Sequence, residues 1–312
     1  MGRIKYGIKP RHQRNMDRLS YRALFIVLLL LPVLYVTGLQ LNKLSTQRLL
    51  QRTLLQGVNY DAFREMKLSS NVLEDAQVQM TKVKFHHSLL DRGVRIDPFA
   101  YLTFSMFTSS FDLTKGRLAD QDLFLSALGQ VGKKQGFVKL MGYYKAVLAD
   151  LEYFPVPRIQ GDKADISFVD TWSELRSYGG NRRHEGTDIM AKNNIRGYYP
   201  VISITEGVVE KMGWLEQGGY RIGIRSPSGG YFYYAHLNSY SEELEEGDQV
   251  LAGQLLGFMG DSGYGKEGTV GQFDVHLHLG IYVETGAGEL SVNPYYILKL
   301  LEKNRLTYQN LR

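Results

Sequence analysis

Hydrophobic and polar residues follow three different patterns along the chain. Residues 23–41 are uncharged and mostly apolar. At ~1.5 Å per residue, a helix of this stretch is just long enough to cross a ~30 Å hydrocarbon layer. Between residues 42 and 157, apolar residues recur with helical spacing. From residue 158 to 290, short β-branched and aromatic runs alternate with glycine, asparagine and aspartate, which is typical of antiparallel strands. The pattern predicts an α+β chain whose second half is mainly antiparallel β.

Some elements can be placed more closely. The run 137–151 carries one apolar stripe over four helical turns. Asp97 and Pro98 predict the start of another helix, because aspartate caps a first turn and proline fits its first position. The segments 44–58 and 72–90 have less regular helical spacing. The predicted organisation begins with a basic tail (1–22), a transmembrane anchor (23–41) and a helical region (42–157). A β-rich domain (158–290) and a closing helix (291–312) follow.

The positive charge is concentrated in front of the apolar stretch. Residues 1–22 hold seven of the 37 basic side chains but only one of the 32 acidic ones, so the rest of the chain is nearly neutral. This distribution indicates how the apolar stretch is oriented in a membrane, and it does not favour a nucleic-acid partner. A basic segment beside a membrane span stays on the cytoplasmic side. We therefore expect a single-pass protein of the cytoplasmic membrane with its N-terminus inside and residues 42–312 outside. A cleaved secretory signal is the alternative, although no A-x-A-like site follows.

Four of the seven histidines lie in three short motifs of the β-rich half, RRHEGTDI, YYAHL and HLHLGI. These motifs place His184 four residues before Asp188 and His276 two residues before His278. On extended backbone each pair points to one face. Zinc binds imidazole and carboxylate, and catalytic zinc sites use three protein ligands. Together with His236, these side chains are sufficient for a one-zinc hydrolase site. The chain has no cysteine, which excludes disulfides and thiolate ligands.

The same motifs, together with GVVE at 207–210 and EEGDQVLAGQLLGFMGDSG at 245–263, resemble in their order the signature blocks of the LytM/lysostaphin-type peptidoglycan endopeptidases. The resemblance spans about residues 170–290. It implies the duplicated hybrid motif fold, one zinc ion per chain, and hydrolysis of peptide bonds in the stem or cross-bridge of peptidoglycan. Within the family, the helical region and the stretch GYGKEGTVGQFDVHLHLG are similar to LytH-like, membrane-anchored proteins of sporulation.

Carried over by position, the resemblance implies that the zinc ligands are His184, Asp188 and His278. It implies that the two catalytic histidines are His236 and His276. We expect His276 to take a proton from the attacking water and His236 to donate a hydrogen bond to the developing oxyanion. These two roles could also be exchanged. No cofactor other than zinc is implied.

The neighbours of these residues allow further predictions. The stretch between Gly263 and His276 is longer than the short turn usual in the family, so the rim of the groove should differ. Gly186 lies between two implied ligands and is expected to let the backbone bend there, with an ordinary turn as the alternative. Asp274 and Glu185 flank implied site residues and are candidates for hydrogen bonds that fix imidazole tautomers.

Two classes of function remain open at this point. The first is a membrane-anchored zinc metalloendopeptidase that acts on peptidoglycan peptides outside the membrane. The second is a non-catalytic scaffold that uses the same fold, with its helical region docking a protein partner of the cell envelope or of sporulation. A peptidase for a protein substrate would share the site and differ only in its groove.

Overall fold

The structure is a computed structural model that describes residues 11–56, 59–83, 96–161, 165–178, 180–242 and 244–309. The chain divides into two compact units, one up to Arg52 and one from Thr53 onward. The helices of the described ranges are α1 (Arg11–Gln56), α2 (Tyr60–Arg64), α3 (Val72–Val83), α4 (Pro98–Thr108), α5 (Gln121–Val131), α6 (Gln135–Leu148) and α7 (Tyr295–Leu301), the last continued by a 3-10 turn (Glu302–Asn304).

The strands are short in the helical region and longer in the second half. They are β1 (Lys67–Leu68), β2 (Asp112–Leu113), β3 (Arg158–Ile159), β4 (Ile166–Phe168), β5 (Leu175–Arg176), β6 (Arg182–Arg183), β7 (Thr187–Ala191), β8 (Pro200–Ile202), β9 (Gly207–Leu215), β10 (Gly219–Arg225), β11 (Gly230–Tyr240), β12 (Gln249–Val250), β13 (Leu255–Met259), β14 (His276–Thr285), β15 (Gly288–Val292) and β16 (Thr307–Tyr308).

Helix α1 contains the apolar stretch Ala23–Leu41, whose mean hydropathy is 2.4 and none of which is buried. By length and composition this helix could cross a membrane, and a signal sequence has the same properties. The predicted topology stays a prediction. The predicted helix at 44–58 is the end of α1, which is described as far as Gln56.

The helices of the second unit begin and bury residues largely as their sequence predicts. Asp97 caps α4, where its carboxylate accepts a hydrogen bond from the N–H of Phe99 at 2.9 Å and Pro98 occupies the first turn. Most of the predicted stripe is buried on α6, with Phe137 and Tyr144 at most 1% exposed, and the helix ends at Leu148, before the predicted end at residue 151. The predicted helix at 72–90 is α3, and its last seven residues lie outside the described part of the chain.

One ten-stranded sheet organises the second half of the chain. Its main path runs β12-β9-β10-β11-β14-β7-β4, with β13, β8 and β15 pairing from the side. Every pair within it is antiparallel. The predicted α+β class with a mainly antiparallel β region is confirmed. Two ladders of only two residues per strand, β1–β2 and β3–β16, are parallel and were not predicted.

Helices α2 and α6 pack directly on this sheet. A Cβ placed on Gly230 of β11 would lie 2.1 Å from the carbonyl oxygen of Ala146, so α6 and β11 approach backbone to backbone. The N–H of Asn293 donates to the carbonyl oxygen of Arg64 at 2.7 Å. The guanidinium of Arg64 donates to the carbonyl and hydroxyl oxygens of Ser291, each at 2.8 Å. Helical and β elements therefore form one compact unit, and the predicted domain boundaries stay predictions.

Candidate metal centre

Two neighbouring strands bring ligand-type side chains together. Strands β14 and β7 pair antiparallel, and their register sets His278 opposite Asp188. His184 lies in the short connection between β6 and β7. Because side chains alternate along a strand, His276 and His278 share one face of β14, and the intervening Leu277 is fully buried on the other face. The fold thus directs the polar face of β14 into a groove.

Three side chains converge at the end of this groove. The Nε2 atom of His184 lies 3.1 Å from Oδ1 of Asp188 and 3.0 Å from Nδ1 of His278. The Nδ1 atom of His278 lies 3.0 Å from the same carboxylate oxygen. The ligand atoms of this trio all lie within 4.8 Å of one another, so the trio could hold a metal ion.

The contacts within the trio fit a cation. Two imidazole nitrogens 3.0 Å apart can share only one proton, and both also face a carboxylate oxygen. A divalent ion would instead accept an electron pair from all three groups. Two imidazoles and one carboxylate are ligands that zinc binds readily, and the set leaves a fourth position open. The donor set therefore fits a catalytic zinc ion.

Asp188 is held as a carboxylate. Burial raises its pKa, but hydrogen bonds from His184 and His278, together with the charges of His278 and His276, outweigh burial and hold the pKa of Asp188 well below the ordinary value of a carboxyl. Its second oxygen, Oδ2, accepts a hydrogen bond from Nη2 of Arg176 at 2.8 Å. Arg176 is on β5, and sequence reasoning missed it because no motif or spacing marks it.

Backbone carbonyl groups orient the rings. Each of three histidines directs Nδ1 at a carbonyl oxygen: His184 at Thr171 (3.0 Å), His236 at Ser262 (2.8 Å) and His276 at Asp274 (2.7 Å). A carbonyl oxygen can only accept, so in His236 and His276 Nδ1 carries the hydrogen and Nε2 offers its lone pair. The backbone thereby sets the tautomer of these two rings, whereas Nδ1 of His184 also lies 3.1 Å from Nη2 of Arg176, which can only donate.

The carboxylates predicted for this orienting role do not perform it. The carboxylate of Asp274 accepts from the side-chain amide of Asn194 at 3.0 Å, and only its backbone carbonyl contacts His276. Glu185 forms an ion pair with Arg64 at 3.4 Å and is half exposed. That prediction was wrong because proximity in sequence did not reveal where neighbouring strands place their main-chain carbonyls.

A second pair of histidines stands beside the trio. The ring centroids of His236 and His276 are 4.8 Å apart, and the ring of His236 is 5.9 Å from that of His278. The ring of Phe273 packs 4.6 Å from His236 and 5.0 Å from His276. Burial lowers the pKa of His236 well below its ordinary value, and the nearby charges of His276 and His278 lower it further, so this imidazole is neutral.

The backbone of His236 is unusual. Its φ is +63°, in the left-handed region that costs a non-glycine residue about 1–2 kcal/mol. The pairing of β11 with β10 shifts register between the partners of Tyr220 and Ile222, at the position of His236. The N–H of His236 donates to the carbonyl oxygen of Gly218 at 2.8 Å. Such a bulge redirects a side chain, and here it turns the imidazole into the groove.

The glycine between two implied ligands is required for space. A Cβ on Gly186 would lie 2.4 Å from Cε1 of His278 and 2.6 Å from the carbonyl oxygen of Leu279. Its φ is not in the left-handed region. The expected bend is therefore not the reason for a glycine here; the reason is the close approach of the His278 ring.

The groove itself is a cavity of about 790 Å³. It is lined by all five sequence-predicted residues: His184, Asp188, His236, His276 and His278. Tyr264 and Phe273, from the stretch predicted to alter the rim, form one wall. Tyr233 lines the groove with its ring 6.1 Å from that of His278. The structure thus gathers the predicted residues in one accessible site of a size that suits a peptide.

Comparison with known proteins agrees with this site. Residues 182–294 match the model of Peptidase family M23. Over 173 residues the chain is 42% identical to the L-Ala--D-Glu endopeptidase of Bacillus subtilis (strain 168). The aligned region covers 55% of this chain and 51% of that protein. Over 102 residues it is 31% identical to lysostaphin of Staphylococcus simulans, and this aligned region covers 32% of the chain and 19% of lysostaphin. The chain thus spans about half the length, or less, of these curated relatives.

A solved structure matches over a much larger share of the chain. It is the crystal structure of a candidate glycyl-glycine endopeptidase LytM from Ruminococcus gnavus ATCC 29149, with a TM-score of 0.66 and 42% sequence identity. The match covers 82% of this chain and 97% of that one, so it includes helical elements as well as the sheet. With the family match and this nearly complete coverage, the chain belongs to Peptidase family M23.

Proposed function

We propose that the protein is a zinc-dependent metalloendopeptidase that hydrolyses peptide bonds in peptidoglycan peptides. The observation that carries this proposal is the convergence of ligand atoms from His184, Asp188 and His278 within 4.8 Å, beside two further histidines in an open groove. Membership of the peptidase family supports it. The relative named for the L-Ala--D-Glu bond favours a stem peptide over a cross-bridge as the substrate.

In this proposal the trio holds one zinc ion, which when bound would polarise the scissile carbonyl and acidify a water. His236 is neutral, and its Nδ1–H is taken by a backbone carbonyl, so its Nε2 is placed to accept a proton. The Nε2 atom of His276 lies 3.8 Å from Oδ1 of Asp188, so this ring also borders the ligand trio. The roles of proton acceptor and oxyanion donor stay interchangeable between His236 and His276.

We also propose that α1 anchors the protein in the cytoplasmic membrane and that the second unit lies outside. The uncharged stretch Ala23–Leu41 follows the basic tail, and this order supports an inside N-terminus. In that arrangement the groove would face the cell wall. The substrate and the location of the protein are then consistent with each other.

The variant His278→Ala tests the ligand assignment in the full chain. We expect zinc content to fall from about one per chain to near zero, and release of new amino termini from purified cell wall to fall to background. His12→Ala, which changes a histidine of the basic tail, should alter neither quantity. Unchanged zinc and cleavage in His278→Ala would contradict the proposal. Mass spectrometry of the digested muropeptides identifies the bond directly.

The scaffold alternative gives a different result in cells. A non-catalytic role tolerates the loss of a ligand, so Asp188→Ala would restore full function to a deletion strain. Under the peptidase proposal the same variant fails to complement although it accumulates normally. Immunoblotting of membranes checks that the variant is present.

A further inference from the structure

Two arginines on the same face of β10 have different surroundings. Arg225 is bound by two carboxylates: its Nε and Nη2 lie 2.5 and 2.9 Å from the oxygens of Glu210, and Nη2 lies 3.3 Å from Glu289. Arg221 is four residues away along the same strand, an even number, and so points to the same side of the sheet. Its Nη1 is buried without a hydrogen-bond partner, and it forms no ion pair with any residue that the structure describes.

The other arginines that line the groove each have a partner: Arg176 has Asp188 at 2.8 Å, Arg182 has the hydroxyl of Tyr264 at 3.4 Å, and Arg183 has the carbonyl of Ser173 at 2.9 Å. The groove carboxylates Glu185 and Glu289 pair with arginines other than Arg221. Among the described residues that line the cavity, Arg221 is therefore the arginine with a buried guanidinium nitrogen that has no hydrogen-bond partner.

The side chains around Arg221 cannot neutralise it. Its positive charge acts on Tyr231, Tyr233 and Tyr240. Burial raises the pKa of each of these tyrosines, so they are neutral phenols. A guanidinium stays protonated, and a buried donor of a charged group without a partner is costly. Its planar fork matches a carboxylate. The guanidinium of Arg221 is thus suited to bind an anionic group of a ligand.

The position of Arg221 relates it to the reacting centre. Strand β11 lies between β10 and β14, so at ~4.8 Å between neighbours Arg221 and His278 belong to strands about 10 Å apart. Tyr233 lies between them, with its ring 6.1 Å from that of His278. An extended peptide advances about 3.5 Å per residue. Since both side chains line the same cavity, a carboxylate on Arg221 would belong to a residue one or two positions from the scissile bond.

We propose that Arg221 forms an anion subsite that binds a carboxylate of the substrate. The substrate class is an acidic peptide with a free carboxylate one or two residues from the bond that is cut, in preference to a neutral glycine peptide. This inference rests on the proposed endopeptidase function and specifies its substrate. Arg221 acts as a specificity-determining residue and takes no part in bond cleavage.

Two matched peptides test the subsite with the zinc-loaded full chain in detergent micelles. One is L-Ala–D-Glu–L-Lys, and the other is the same peptide with the free glutamate carboxylate converted to a carboxamide. Because a hydrogen bond to a charged group is stronger than one to a neutral group, kcat/KM for the carboxylate peptide should be roughly 10- to 100-fold higher. In Arg221→Gln the ratio should fall to about one, with cleavage of the carboxamide peptide within about twofold of wild type.

Arg225→Gln is the matched control on the same strand face. It should keep the preference for the carboxylate peptide while lowering Tm by a few degrees, because it leaves Glu210 and Glu289 unpaired. Arg221→Gln should not lower Tm, since it removes a donor without a partner. A lowered Tm with an unchanged peptide ratio in Arg221→Gln would make Arg221 structural and overturn the subsite.

Binding of the two peptides to the metal-free full chain, measured by calorimetry, separates the two proposals. If wild type cleaves neither peptide but binds the carboxylate form more tightly in an Arg221-dependent way, the subsite stands and the endopeptidase proposal fails. If both peptides are cleaved at equal rates by wild type and by Arg221→Gln, the endopeptidase proposal stands and the subsite fails. Equal binding without cleavage overturns both.

Discussion

The trio of His184, Asp188 and His278 and the pair of His236 and His276 lie in one groove, yet they are held in different ways. Members of the trio contact one another at 3.0–3.1 Å, which places two lone-pair donors against each other. The members of the pair are tied to backbone carbonyls, and both rings contact Phe273. The trio therefore needs a cation to complete it, whereas the pair is oriented by the fold alone.

This difference has consequences for stability. A metal that binds the folded trio and not the unfolded chain stabilises the protein in proportion to its binding free energy. His236 and His276 are not metal ligands in this proposal, so they do not contribute to the stabilisation by metal binding. Substitutions in the two groups should consequently separate metal content, stability and turnover.

The largest separation is expected for the pair. His276→Ala or His236→Ala should lower cell-wall hydrolysis by roughly 10²- to 10⁴-fold, because each removes a proton-transfer or hydrogen-bonding group from the reaction. Zinc content, measured by atomic absorption, should stay at about one per chain. If either variant lost its zinc, the pair would belong to the ligand set and the contrast with the trio would disappear.

Gly186→Ala should disturb the trio without removing a ligand. Its methyl group would overlap the ring of His278 and the carbonyl oxygen of Leu279, so overpacking should lower the free energy of unfolding by about 1–3 kcal/mol. Zinc affinity should fall with it. Both quantities can be measured by urea unfolding and by competition with a chelator.

Gly142→Ala provides the control for this prediction. Gly142 lies in α6, and a Cβ there would meet nothing within 4 Å. Alanine is the better helix former, so this variant should be more stable by about 0.5–1 kcal/mol, with unchanged zinc affinity. Equal effects of the two substitutions would contradict the crowded packing of Gly186.

The smallest expected effect concerns the arginine behind the trio. Arg176→Gln removes the guanidinium that binds Oδ2 of Asp188, and loss of such an outer contact should weaken zinc binding by about tenfold. Arg183→Gln is the matched control, because among the described residues the hydrogen-bond partner of the Arg183 guanidinium is a backbone carbonyl, that of Ser173. If Arg176→Gln and wild type bound zinc with the same affinity, the hydrogen bond from Arg176 to Asp188 would not contribute to metal binding.

The five candidate residues could be collected from the sequence because histidines are few and their spacing matches strands, whereas their division into trio and pair came from the family resemblance. His276 and His278 alternate with buried leucines, and that alternation alone assigns them to one face. The start of α4 was predictable from the same kind of local chemistry, since Asp97 caps the turn that follows it. Each of these motifs consists of a few adjacent residues.

The rest depended on contacts between distant strands. Arg176 and Arg221 differ from other arginines only in which partners the fold brings to them, and the sequence does not record those partners. The positive φ of His236 follows from a register shift between β10 and β11. The crowding at Gly186 comes from a ring 92 residues later in the chain. Such features become visible only when the sheet is assembled.

The backbone approach of α6 to β11 limits where the protein can be shortened. A proteolytic cut near residue 158 would strip the cover from Gly230 and leave the N–H of Asn293 and the oxygens of Ser291 without the partners that Arg64 provides. A cut between α1 and α2 leaves those contacts whole. If α1 anchors the protein in the membrane as proposed, shedding at that upstream point would release the groove in working order, and shedding at the later one would inactivate it.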